Sequence, residues 1–106
     1  MTVQNTGGHG IAVSNGTLSI GQGVVVTRSG TGAKRRDGLN VGGGTVNIAV
    51  AAGQASAVFS NNTQHGIYVT GSGVVNIAGV PVTAPTPNVQ GTVVANGNFF
   101  AGLNIF

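Results

Sequence analysis

Three residues combine types that can share a proton or a metal with a spacing that repeats. His9, Asp37 and His65 each stand immediately before a glycine, and each is 28 positions from the next. Two imidazoles and a carboxylate suit several divalent metals, and an Asp–His pair can move a proton. The competing account is structural: a column in which Asp37 accepts hydrogen bonds from the two imidazoles or from Arg36. The structural account is the expectation, because Asp37 is the only acid in the chain and no other carboxylate exists to orient a metal-bound histidine. No cofactor and no bound metal are expected.

The shortage of acids excludes more. A glycoside hydrolase of the usual kind needs two carboxylates about 5 to 10 Å apart. A calcium-dependent lyase needs several acidic oxygens. This chain offers one, so catalysis is not expected. The bases form one run, Lys34, Arg35 and Arg36, with Arg28 nearby. A phosphate-binding loop would read Gly-Lys-Ser/Thr, and here the text is Gly-Ala-Lys. Nucleic-acid binders interleave basic residues with aromatics over a face, whereas this run is confined to one loop and the chain has no Trp. A solvated loop is expected, with contact to an anionic glycan or lipid surface as the functional alternative. A further stretch, "VPVTAPTPNVQ", holds all three prolines, Pro81, Pro85 and Pro87. Proline interrupts ladder hydrogen bonding, so residues 80–90 should leave the regular structure as an extended loop open to a partner.

What must position these residues follows from composition. Gly accounts for 20 of 106 residues and only 5% are charged, against about 25% in an average soluble chain. Gly weakens a helix by about 1 kcal/mol relative to Ala, while Val, Ile and Thr suit a pleated surface. The chain reads as all-β. It contains no cysteine, so no disulfide or thiolate site is possible. No run of about 18 apolar residues appears, so no helical membrane span is expected. The opening residues lack the pattern of a signal peptide.

A repeat organises the strands. "VQNTGGHGIAVSNGTLSIGQG" is echoed by "FSNNTQHGIYVTGSGVVNIAG", and more weakly by "RDGLNVGGGTVNIA" and "FFAGLNIF". The anchoring glycines are Gly10, Gly38, Gly66 and Gly102, the last interval being longer by the proline-containing stretch. Alternation predicts inward pairs Ile11/Val13, Leu39/Val41, Ile67/Val69 and Leu103/Ile105. A second column holds Leu18/Ile20, Val46/Ile48 and Val75/Ile77. Carrying the same interval onward gives a third, less regular face at Val24/Val26, Ala52 and Val80/Val82. Gly-rich gaps between the first two columns supply the corners. Asn5 with Asn61, and Asn47 with Asn76, are candidates for side-chain ladders. Tyr68 should point outward. Like residues in register at a fixed interval suit parallel coils stacked about 4.8 Å apart; the alternative is a Gly-rich β-sandwich.

The outline Asn-x-x-x-x-Gly-Ile-x-Val, at Asn5 to Val13 and Asn61 to Val69, resembles the right-handed parallel β-helix of the pectin-lyase-like superfamily. The resemblance implies one solenoid domain of about four coils: 3–30, 31–58, 59–94 with the Pro-rich loop at 80–90, and an incomplete coil at 95–106. That superfamily includes lyases, hydrolases, adhesins and phage tailspikes, and none of its catalytic carboxylates can be carried onto a position here. The expected role is therefore a structural, self-associating β-solenoid of an extracellular fibre, adhesin or surface protein. Its partners would be further copies, as a homo-oligomer or head-to-tail filament, or the rest of a longer β-helix. No nucleic acid is expected. The alternative is a carbohydrate-binding segment of a tailspike-like or depolymerase-like protein. No capping element is evident at either end of the pattern, and open β edges recruit strands.

Overall fold

The computed structural model describes residues 1–31, 34–50, 53–77, 80–81, 89–90, 93–94, 98 and 103–105. Every regular element among them is a strand: β1 (Thr2–Gln4), β2 (Ile11–Val13), β3 (Thr17–Ile20), β4 (Val25–Thr27), β5 (Leu39–Val41), β6 (Thr45–Ile48), β7 (Ala57–Ser60), β8 (Ile67–Val69), β9 (Val74–Ile77), β10 (Val80–Pro81), β11 (Val89–Gln90), β12 (Val93–Val94) and β13 (Leu103–Ile105). They form three sheets, in the orders β1-β4-β7-β12-β11, β2-β5-β8-β13 and β3-β6-β9-β10. Each turn of chain visits the three sheets in succession, and strands one turn apart pair in parallel. This is all-β architecture of stacked parallel coils, consistent with a β-solenoid.

Two columns follow the expected register. Ile11 pairs with Leu39 and Leu39 with Ile67, which in turn faces Leu103. Leu18, Val46 and Val75 form the second column, followed by Ile20, Ile48 and Ile77. Strands this short hold because alternate side chains enter one shared core; Leu39, Val41 and Val46 are completely buried. Close stacking of corners also forbids side chains at certain glycines. A Cβ on Gly38 would lie 2.6 Å from Asn62 Nδ2 and 2.7 Å from the Gly66 carbonyl oxygen. Gly44, at φ +72°, would put one 2.5 Å from the Gly16 carbonyl oxygen.

The third column differs from the expected one. Val26 stacks on Val3 and on Phe59, the largest fully buried side chain. Ala52 and Val82 lie outside the described residues, and Val80 pairs antiparallel with Ile77 at the edge of another sheet. Unequal loops explain the difference. The chain crosses from β3 to β4 in residues 21–24 but from β6 to β7 in residues 49–56. It crosses from β4 to β5 in residues 28–38 but from β7 to β8 in residues 61–66. The longer loop falls before the third sheet in one turn and after it in the other. The interval therefore stays at 28 residues on the first face, at 28 and then 29 on the second, and fails on the third.

The proline-containing stretch, expected to leave the regular structure over residues 80–90, is described only at residues 80–81 and 89–90. Its described ends pair back onto the stack: β10 runs antiparallel to β9, and β11 runs antiparallel to β12. Pro81 belongs to β10. Pro85 and Pro87 lie outside the described residues.

Candidate functional site

His9, Asp37 and His65 come together at one corner, each on the residue that leads through a glycine into β2, β5 or β8. The Asp37 amide donates to His9 Nδ1 at 3.1 Å, and the His65 amide donates to Asp37 Oδ1 at 3.1 Å. In the same corner the Gly10 and Gly38 amides donate to the carbonyls of Asp37 and His65 at 3.2 and 2.9 Å. His9 and Asp37 thus each supply an acceptor for an amide that arrives just before the next strand ladder begins. Both residue types meet that requirement, since Nδ1 and a carboxylate oxygen can both accept.

Asp37 is 2% exposed, and its charge is met by directed donors. The ring of His65 offers Nδ1 to Oδ1 at 2.8 Å, and Asn40 Nδ2 donates to Oδ2 at 2.9 Å. His65 also stacks on Tyr68, with ring centroids 4.7 Å apart and planes 9° from parallel. The expected pair of imidazole donors is therefore only half present. Because His9 Nδ1 accepts the Asp37 amide, it holds no proton there; its 3.5 Å approach to Asp37 Oδ2 is a meeting of acceptors in that tautomer, not an ion pair. Arg36 does not serve Asp37 either: its Nη1 donates to the Arg35 carbonyl at 2.8 Å. Among the described residues no three His, Cys, Asp or Glu side chains are grouped so as to hold a metal ion. The corner is an acceptor ladder.

The basic residues occupy the longer crossing of the same corner. Gly30 and Arg35 form an antiparallel bridge, and the Thr31 amide donates to the Lys34 carbonyl at 2.7 Å. The hairpin is tied to the next coil by Thr63, whose hydroxyl accepts from the Arg36 amide at 2.9 Å and donates to the Ser29 carbonyl at 2.6 Å. Arg28, Lys34 and Arg35 are exposed and Arg36 is half-buried. All four cationic side chains therefore sit on one braced corner, while the chain's lone acid is turned inward.

The asparagines divide into a ladder that was legible and one that was not. Asn47 and Asn76 are register partners, and Asn76 Nδ2 donates to Asn47 Oδ1 at 2.8 Å. Asn5 and Asn61 cannot form the expected pair, because Arg28 stands between them. These three share a left-handed conformation, at φ 56°, 55° and 58°, and turn the chain out of the third sheet. Asn tolerates that region better than other non-glycine residues. An inner ladder was missed. Asn62 Oδ1 accepts the Ser29 amide at 3.1 Å, and Asn98 Oδ1 accepts the Asn62 amide at 2.9 Å. Asn62 and Asn98 also donate to the Val26 and Phe59 carbonyls, at 3.3 and 2.9 Å. The available signal was the doubled Asn61-Asn62, in which the second residue follows a left-handed turn.

No family model, no curated protein and no solved structure matches this chain.

Proposed function

We propose that this chain is a structural β-solenoid, a right-handed parallel β-helix of the pectin-lyase-like kind, that works by associating with other β-coils in an extracellular fibre, adhesin or surface protein. The observation that supports this reading is the stacking of like residues in register through parallel sheets, with Val3, Ile11, Val13 and Leu18 only partly buried where the described stack has a neighbour on one side. The sides support the same reading, being covered with Asn, Thr, Ser and Gly and almost no charge. Catalysis is not part of the proposal, since the one carboxylate is buried and both its oxygens accept hydrogen bonds. Electron microscopy together with mass measurement in solution tests it: regular oligomers or rods are expected, and a monomer at every concentration would sink it.

A second reading has its own observation. The braced basic hairpin, flanked by exposed Asn5, Asn61 and Thr31, combines cations with amide and hydroxyl groups that can engage an anionic glycan. Retention on immobilised sulfated dextran tests it. The Lys34→Ala/Arg35→Ala double variant should elute at clearly lower salt, while unchanged elution would remove the reading.

A further inference from the structure

An asparagine followed by glycine is chemically exposed, because the glycine amide can attack the side chain that precedes it. Two such pairs occur in the sequence, Asn15-Gly16 and Asn96-Gly97, and the second lies outside the described residues. Asn15-Gly16 lies in the corner between β2 and β3. The matching corners of the next two coils, residues 42–44 and 70–73, contain no asparagine.

The local geometry suits the reaction. The Gly16 amide donates to Asn15 Oδ1 at 2.9 Å, so its nitrogen lies against the side-chain carbonyl whose carbon, Cγ, it would attack. A nucleophile held about 3–3.5 Å from its target is in near-attack geometry. Gly16 takes φ +79°, and nothing lies within 4 Å of the place a Cβ would occupy. Both residues are exposed, so water has access to the product of the attack. The one Asp-Gly pair, Asp37-Gly38, is held differently. Both of its carboxylate oxygens accept hydrogen bonds, and the Gly38 amide donates to the His65 carbonyl at 2.9 Å.

We propose that Asn15 is a modification site, at which the chain deamidates itself and places isoaspartate in the corner. The Gly16 nitrogen gives up its proton and bonds to Asn15 Cγ. The Cγ–Nδ2 bond breaks, and Nδ2 leaves as ammonia with that proton. The five-membered imide then takes up one water. Opening at Cγ gives aspartate; opening at the main-chain carbonyl gives isoaspartate, with the backbone rerouted through Cβ and Cγ. Neither step needs an oxidant, a metal or a second protein.

Either product adds a carboxylate to residues 1–27, which contain no Lys, Arg, Asp or Glu. Isoaspartate also lengthens the main chain by a methylene, where the corner is closely stacked. The Gly16 carbonyl accepts the Thr45 amide at 2.8 Å, and a Cβ on Gly44 would lie 2.5 Å from the same oxygen. The modification therefore loosens this coil from the next. It does so whether or not the chain self-associates.

The test is incubation of the folded 106-residue chain in warm, mildly alkaline buffer, beside the same chain in guanidinium. Trypsin cleaves after Arg28, so peptide 1–28 reports on Asn15 apart from Asn96. That peptide should gain about one mass unit, with –NH2 replaced by –OH, and fragmentation should place the change at residue 15. Its new carboxyl should accept a methyl group from S-adenosylmethionine through an isoaspartyl methyltransferase. The rate in the folded chain should lie within about tenfold of the rate in denaturant. Asn15→Gln, whose ring would be six-membered, should stop the change. Folded-state protection beyond about tenfold, no change in either sample, or a change placed elsewhere in the peptide would overturn the site. The isoaspartate form should melt below the Asn15→Asp variant, which adds the charge without the methylene. Equal midpoints would overturn the loosening and keep the site.

Discussion

Among the described residues, the coil of β1, β2 and β3 has a neighbour on one side only, whereas the coil of β4, β5 and β6 has one on each side. The side chains of the first coil are the same kinds as in the second. Ile11 and Val13 repeat as Leu39 and Val41, yet the first pair is partly buried and the second completely so. The comparison teaches that in a stack of coils, burial belongs to the neighbour and not to the residue. A column position is worth its full energy only with a coil on each side.

The largest expected effect lies at the covered positions. Phe59→Ala should cost about 3–5 kcal/mol and Leu39→Ala about 2–5 kcal/mol, enough to unfold much of a small domain. Urea titration at fixed dilute concentration measures both. Ile11→Ala should cost about half as much as Leu39→Ala. Equal costs for the two would break the comparison.

The Asp37 corner comes next. Asp37→Ala leaves the His65 ring, the His65 amide and the Asn40 side chain without their acceptor, and about 3 kcal/mol should be lost. Asp37→Asn keeps one oxygen to accept and should cost less. If both variants melted with the unmodified protein, the acceptor ladder would contribute nothing to the fold.

Smaller gains are expected where the molecule departs from its own pattern. Ser29 Oγ is the one buried side-chain oxygen or nitrogen among the described residues without a hydrogen bond. Asn62 and Asn98 each reach the coil before them, and serine is too short to do so. Ser29→Asn should place an oxygen for the Thr6 amide and an amide for the Val3 carbonyl, stabilising by about 1 kcal/mol. That would fasten the coil of β1 more firmly to the coil of β4. Arg28→Asn, at φ 55°, should add about 0.5–1 kcal/mol by matching the left-handed turn shared with Asn5 and Asn61. Differential scanning calorimetry should show both as higher midpoints, and a lower midpoint for either would reject its assignment.

Legibility followed loop length. The columns through Ile11, Leu39 and Ile67, and through Leu18, Val46 and Val75, could be read because alternation coincides there with an interval that changes by no more than one residue. The column through Val3, Val26 and Phe59 could not, because residues 28–38 and 49–56 lengthen different crossings and conceal the true interval. The corner histidines and Asp37 were placed in one column correctly. Which of them donates could not be read, since donor direction depends on where the next coil's amide falls. The Asn5 and Asn61 pairing failed for the same reason as the third column.

The sequence by itself determined a chain of short strands with Gly-rich corners, a nearly uncharged surface, a single acid and a repeat that stacks like on like. Those are properties of composition and local period, which each segment carries whatever surrounds it. The tertiary structure decided the third sheet, the direction of the hydrogen bonds around Asp37, the inner Asn62–Asn98 ladder and the crossing of one end by β10 and β11. These depend on which residues lie one coil apart, and loops of unequal length hide that distance until the chain is wound.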